Sequence, residues 1–271
     1  MLEHRILLES PVARVAAVRC PGGRAWSAEE EVSGAAVVLI RRGVFVRRAD
    51  GRATLADVTA GYLQRRAELQ QIAHPAGGDL CTSVAVPDEM ADRLAHRHGD
   101  RVPVSAAADL AHRRLLAAHP ADRADLVADL IAALLPESLP APGPHPPGTP
   151  AASGSLLAPS GMVAAVDEVR ALLHTDPNLD LTALGRAVGW SPWHLSRTFR
   201  RVTGCTLNAY RRRLRVRAAL DELPASLDLA ALALRMGFAD QAHMTRAVRE
   251  ETGHTPGALR QALGPRRCEL R

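Results

Sequence analysis

The chain has 271 residues, 47% hydrophobic but only 3% aromatic, and carries a formal net charge of +5 from 34 Arg, no Lys and 29 Asp plus Glu. That composition fits helix-rich globular structure and is long enough for two domains. No apolar run approaches the roughly 18 residues of a membrane span, the opening MLEHRILLESPVARV lacks the apolar centre of a secretion signal, and four scattered cysteines build no disulfide framework, so the expected setting is a reducing cytoplasm.

In the first third, AAVVLI from Ala35, then Arg41-Arg42-Gly43, then VFVRR and Asp50-Gly51 predict a β-hairpin followed by another turn. Residues 62–72 and 80–86 are further strand candidates, although 63–69 also fits a helix. Closely spaced short strands with glycine turns predict a small barrel or jelly roll. The segment HPAGGDLCT has site-like composition. His74, Asp79 and Cys81 could converge on a transition metal such as zinc, with Cys20 brought in from elsewhere, because imidazole and thiolate suit such ions. The competing reading is a plain turn between strands, since no Cys-x-x-Cys pair is present.

Beyond Pro87 the pattern becomes helical over 88–98, 105–119 and 121–135, where Leu110, Leu115, Leu116, Leu126, Leu130, Ile131 and Leu134 make apolar stripes. Residues 136–159 contain 8 Pro and 3 Gly in 24 positions, which excludes helix and interior strand. They read as a semi-rigid tether that should let the flanking domains reorient.

The last third contains one pattern twice, LTALGRAVGWSPWHLSRTFRRVTG at 181–204 and LAALALRMGFADQAHMTRAVREETG at 229–253. Each copy runs a short apolar helix into a glycine (Gly189, Gly237), an aromatic residue (Trp190, Phe238) and a helix N-cap (Ser191, Asp240). Glycine tolerates the positive φ of a tight turn, and Ser or Asp accepts an orphan N–H, with Pro192 setting φ at the first helical position. In the following helices Leu195, Phe199 and Val202, and Met244 and Val248, form apolar stripes. Trp193, Ser196, Arg197, Arg200 and Arg201 lie off the first stripe, and Gln241, His243, Thr245, Arg246 and Arg249 off the second. Two such units on one chain imply a protein that lays helices in the major groove of duplex DNA. From Gly161 onward 17 Arg face 11 acidic residues, against 17 and 18 before it, so the basic excess sits with these helices.

Residues 161–263 resemble the DNA-binding domain of the AraC/XylS family of bacterial transcription regulators. Besides the two helix pairs, Thr203-Gly204-Cys205-Thr206 and Thr252-Gly253-His254-Thr255-Pro256 match the exits after its recognition helices, and AYRRRLRVRAALDEL matches its long connecting helix at 208–223. Leu207, Ala242, Val248 and Leu259 replace a Pro, a polar residue, an aromatic and a Tyr of the family pattern. The resemblance implies that Trp193, Ser196, Arg197 and Arg200 of the first unit, and Gln241, His243, Thr245 and Arg246 of the second, meet DNA. Arg suits guanine and Gln adenine by bidentate hydrogen bonds, while Arg200, Arg201 and Arg249 are equally suited to phosphate.

More faintly, the strand rhythm resembles the cupin-like sensing domain that family members often carry. The expected fold class is therefore two-domain α+β: a cupin-like barrel followed by helices (1–135), a Pro-rich linker (136–159) and an all-α domain with two helix-turn-helix units (160–271). The resemblance implies a homodimer paired through the helices after the barrel, although those helices could equally cover their own barrel. It also implies a small effector, contact with RNA polymerase and activation, with a metal- or thiol-responsive repressor as the alternative. An enzyme reading lacks its residues: the only His-x-His, His96-Arg97-His98, lies on a predicted helix, where residues two apart do not share a face, and no nucleophile motif occurs. A module that recruits acidic proteins is the remaining rival.

Overall fold

A computed structural model describes residues 3–10, 13–23, 25–135 and 160–264. The Pro-rich tether and Cys268 lie outside the described residues. Ten strands form one antiparallel sheet: β1 (Glu3–Glu9), β2 (Arg14–Cys20), β3 (Glu30–Glu31), β4 (Ala36–Arg42), β5 (Val44–Ala49), β6 (Arg52–Asp57), β7 (Ala60–Gln64), β8 (Leu69–Ala73), β9 (Asp79–Ala85) and β10 (Arg101–Pro103). Their order is β1-β2-β9-β4-β7-β6-β5-β8-β3, with β10 on β7, and the sheet curls as the expected jelly-roll class does.

The first expected hairpin is not formed. β4 pairs with β9 and β7, whereas β5 pairs with β6 and β8. Both edges of β4 are occupied, and the chain turns a corner at Gly43 (φ 82°) to enter the other half of the sheet. The hairpin lies one turn later, where Asp50 and Gly51, both at positive φ, close β5 onto β6 in the manner of a type I′ turn. Residues 62–72 divide into β7 and β8 around a turn, and 63–69 is not helical. β1 and β2 had no counterpart in the sequence reading.

Helices α1 (Asp88–His98), α2 (Ala106–Ala117) and α3 (Arg123–Leu134) follow, within two residues of expectation. Leu94, Leu115, Leu130 and Leu134 pack on Val37, Leu39, Leu63 and Val84, so these helices cover their own barrel. The opposite face of the sheet lines an open cavity of about 800 Å³.

The carboxyl-terminal part comprises α4 (Ser160–Thr175), α5 (Leu181–Ala187), α6 (Pro192–Thr203), α7 (Leu207–Glu222), α8 (Leu229–Arg235), α9 (Gln241–Thr252) and α10 (Pro256–Leu263). It does not hang free, contrary to the expectation of reorienting domains. Val166, Val169 and Leu173 of α4 join Phe199 and Tyr210 in one apolar cluster with Val38, Ile40 and Phe45 of the barrel. Leu110 of α2 is likewise buried among residues of α7 to α10.

Three buried ionic knots cross this junction. Fully buried Asp57, the last residue of β6, receives Nε and Nη2 of Arg170 at 3.0 and 2.6 Å on Oδ2, where Tyr210 also donates. Its other oxygen, Oδ1, accepts from the Thr59 amide and hydroxyl and from the Ala60 amide. Burial raises the Asp57 pKa, but Arg170 and then His174 outweigh it and hold the carboxyl well below its ordinary range. Asp221 of α7 binds Arg41, Arg42 and Arg113. Buried Arg217 pairs with Asp109 and donates to the carbonyls of Val104 and Ser105.

Candidate nucleic-acid interface

The two repeats share the same capping framework. Ser191 accepts from the His194 amide at 3.2 Å, and Asp240 accepts from the His243 amide at 2.6 Å, so each long helix starts on a side-chain cap. The turns before them need Gly189 and Gly237, at φ 68° and 74°. The helices end at Gly204 and Gly253, both left-handed at φ 76°, and Thr203 and Thr252 each donate at 2.7 Å to the carbonyl four residues back. Thr206 and Thr255 then cap the next helices.

This framework sets the two faces. α6 buries Leu195, Thr198 and Phe199, and α9 buries Met244, Ala247 and Val248. Outward stand Trp193 (67% exposed), Ser196, Arg197, Arg200 and Arg201 on α6, and Gln241, Arg246 and Arg249 on α9. Thr245 and His243 are half-buried. The His243 ring packs edge-on against Phe238 at 5.4 Å, as His194 does against Trp190 at 4.8 Å, and its Nδ1 accepts from the Ala239 amide. His243 therefore braces its turn. The Arg197 guanidinium rests 4.6 Å over the Trp193 ring, which pre-positions it on the exposed surface. Ala242 takes the place of Trp193 in the second unit, so Arg246 has no such platform.

The arginines occupy distinct environments that sequence alone did not separate. Arg47, Arg113, Arg170 and Arg217 are buried and paired with carboxylates. Among the described residues, none of Arg197, Arg200, Arg201, Arg246 and Arg249 has an ion-pair partner. Five unneutralised guanidinium groups on two helices make a site for an anion.

α7 fixes the spacing between the units. Arg211 donates to the Leu179 carbonyl beside the first unit, Arg215 donates to the Gly237 carbonyl in the turn of the second, and Arg212 and Arg213 bind Glu250 and Glu251 of α9. These roles of the connecting helix were missed; their signal was the run of five Arg within 211–217. The substitutions Leu207, Val248 and Leu259 are all buried, so each fills its place as an apolar core residue.

In the barrel, Cys20, His74, Asp79 and Cys81 all line the cavity. Cys20, His74 and Asp79 place one donor atom each within 4.8 Å of one another. Asp79 Oδ1 lies 2.7 Å from His74 Nε2, and Cys20 Sγ lies 3.9 Å from His74 Nδ1. Burial pushes the Cys81 thiol pKa up, and Asp79 adds to the shift.

Two capped helices presenting free arginines, locked at a fixed separation on one chain, define a double helix-turn-helix DNA-binding regulator. A family profile described as "Helix-turn-helix domain" matches residues 184–262. The regulatory protein SoxS of Salmonella typhimurium is 33% identical over 91 residues, 33% of this chain and 85% of that protein. SoxS of Escherichia coli is 31% identical over 103 residues, 38% of this chain and 92% of that protein. The HTH-type transcriptional regulator GlxA of Rhizobium meliloti is 38% identical over 87 residues, though these span only 27% of its own length. The chain belongs to the AraC/XylS family of transcription regulators, and these relatives are named as regulators, not enzymes.

Among solved structures, ToxT from Vibrio cholerae is similar over 94% of this chain and 99% of its own, at 8% identity and TM-score 0.35. A cupin superfamily protein from Desulfitobacterium hafniense is similar over 32% of this chain and 79% of its own, at 18% identity and TM-score 0.28. No described helix is long and apolar enough to cross a membrane.

Proposed function

We propose that this regulator lays α6 and α9 into successive major grooves of one DNA face, about one helical turn or 34 Å apart, and changes its action when a small effector enters the barrel cavity. The observation that carries this reading is the set of five exposed, unpaired arginines on two equivalently capped helices. Arg197 and Arg246 occupy the same position of the two repeats and would read guanine, Gln241 at the start of α9 would read adenine, and Trp193, Ser196 and Thr245 would flank them. Arg200, Arg201 and Arg249 would hold phosphates.

In this scheme residues 1–135 sense, 136–159 connect and 160–271 bind DNA in the cytoplasm, and the regulator activates by contacting RNA polymerase. The barrel and the DNA-binding helices share an apolar cluster that includes the cavity-lining Phe45, so an occupant of the cavity has a direct mechanical route to α4 and α6. A homodimer would pair through α3, whose outer residues Ala124, Ala128 and Ala132 are exposed, because α2 is committed to the second unit.

Affinity of the full chain for duplex DNA, measured across a salt series, tests the reading. Each phosphate neutralised adds about 0.9 to the log–log slope, so a slope of several units is expected. A flat response would instead indicate a protein-recruiting module.

A further inference from the structure

The wall of the barrel cavity holds a donor set of unusual composition for a structural turn. Three chain segments meet there: Cys20 ends β2, His74 follows β8, and Asp79 opens β9 directly opposite Cys20 in the sheet register. The meeting is enforced by backbone contact. A Cβ on Gly78 would lie 2.5 Å from the Cys20 carbonyl oxygen, and one on Gly22 would lie 2.6 Å from the Gly78 amide, so only glycine lets the two loops touch. The register places Cys20 and Asp79 side by side on the cavity face.

His74 is 8% exposed and Asp79 6% exposed. Asp79 Oδ1 stands 2.7 Å from His74 Nε2, a placement that favours the proton on Nε2 and the lone pair on Nδ1. That lone pair faces the Cys20 sulfur at 3.9 Å. For a tetrahedral ion with metal–sulfur and metal–nitrogen bonds of about 2.3 and 2.05 Å, the sulfur–nitrogen separation is about 3.6 Å. Two ligand atoms thus stand within about 0.3 Å of the spacing an ion needs, beside a carboxylate that orients the imidazole. The remaining positions of such an ion would face the cavity, open to water or to a donor atom of an incoming effector.

We propose that Cys20 Sγ and His74 Nδ1, with Asp79 positioning the ring from Nε2, bind a borderline-to-soft divalent transition-metal ion of the zinc and cobalt(II) class in the wall of the cavity. Thiolate plus imidazole selects such ions over calcium and magnesium, which want oxygen donors. Binding displaces the Cys20 proton to solvent and changes no oxidation state. The proposal deepens the sensing reading above, yet its test needs no DNA: loss of metal binding would leave DNA recognition standing, and loss of DNA recognition would leave the metal site standing.

The experiment is a cobalt(II) titration of the full chain, stripped with chelator and kept reduced, followed by absorption spectroscopy. A thiolate-to-cobalt charge-transfer band rising to one equivalent per chain, and removed by zinc, is expected. Cys20→Ser should abolish the band, and both His74→Ala and the milder His74→Gln should weaken cobalt binding by at least 10-fold. Asp79→Asn should weaken it about 10- to 100-fold as an orienting partner does, while Cys205→Ser in the helical domain leaves it intact. Circular dichroism confirms that each variant is folded. Absence of the band in wild-type protein with titratable thiols, or its survival in Cys20→Ser, would overturn the proposal.

Discussion

Replacing Asp57 by Ala should destabilise both halves of the protein at once. The carboxylate and Arg170 are each fully buried, and the substitution strips the guanidinium of both its hydrogen bonds to Asp57 Oδ2, leaving it only Asp167 at 2.7 Å. It also removes the carboxylate that accepts from the Tyr210 hydroxyl and from the amides of Thr59 and Ala60. Removing one partner of a buried ion pair costs about 3–5 kcal/mol because the other charge stays uncompensated. For a chain of this size that corresponds to a fall in melting temperature of about 6–20 °C. Urea unfolding followed by tryptophan fluorescence reports on the barrel through Trp26 and on the first helix-turn-helix unit through Trp190 and Trp193. Wild-type protein should unfold in a single transition, because the junction is shared core, and Asp57→Ala should lower the midpoint seen by both regions. Adding Arg170→Met should restore part of the loss, since an apolar pair needs no counter-charge. A cost below about 1 kcal/mol, or a double variant as damaged as the sum of the singles, would refute the reasoning.

Acid should weaken the fold in two steps. Burial, with Arg113 and Arg41 nearby, lowers the His112 pKa to about 3, so below pH 6.5 the unfolded chain takes up a proton that the folded chain refuses. Stability present above pH 6.5 should fall by about 2 kcal/mol by pH 5, and His112→Gln should flatten that slope in urea titrations. Asp57, with its depressed pKa, contributes fully above its unfolded value of about 4 and loses that contribution only as pH falls through the lower folded value. Arg197→Ala should abolish discrimination between selected and scrambled duplex in competition binding, whereas Arg200→Ala should weaken both alike and reduce the salt slope by about one unit; the opposite pattern would exchange their roles. Asp240→Ala removes the cap of α9 and should cost about 1 kcal/mol in thermal denaturation, and no loss would mean the Asp240 hydrogen bond adds nothing to stability.

What the sequence disclosed follows from how local each signal is. The helix-turn-helix units were legible because glycine, cap and stripe all fall within about 24 consecutive residues, and the three helices after the barrel were legible from their periodicity. Asp57 was invisible: it sits in ADVTAG, which reads as a turn, and its partners Arg170 and Tyr210 lie 113 and 153 residues away. The division of arginines into buried and free was hidden for the same reason, since RRGVFVRR and SRTFRR look alike until burial is known. β1 and β2 escaped notice because charges interrupt the apolar alternation of EHRILLE and RVAAVRC. The cavity wall was half legible, through the composition of HPAGGDLCT, but the arrival of Cys20 depends on strand register.

Selection of bound sequences from a random duplex library by the full chain tests the central claim most directly. The account predicts enrichment of two short elements with centres about 10 base pairs apart on one face, the first lost in Arg197→Ala and the second in Arg246→Ala. Recovery of a single element, or no enrichment over the input library, would contradict it.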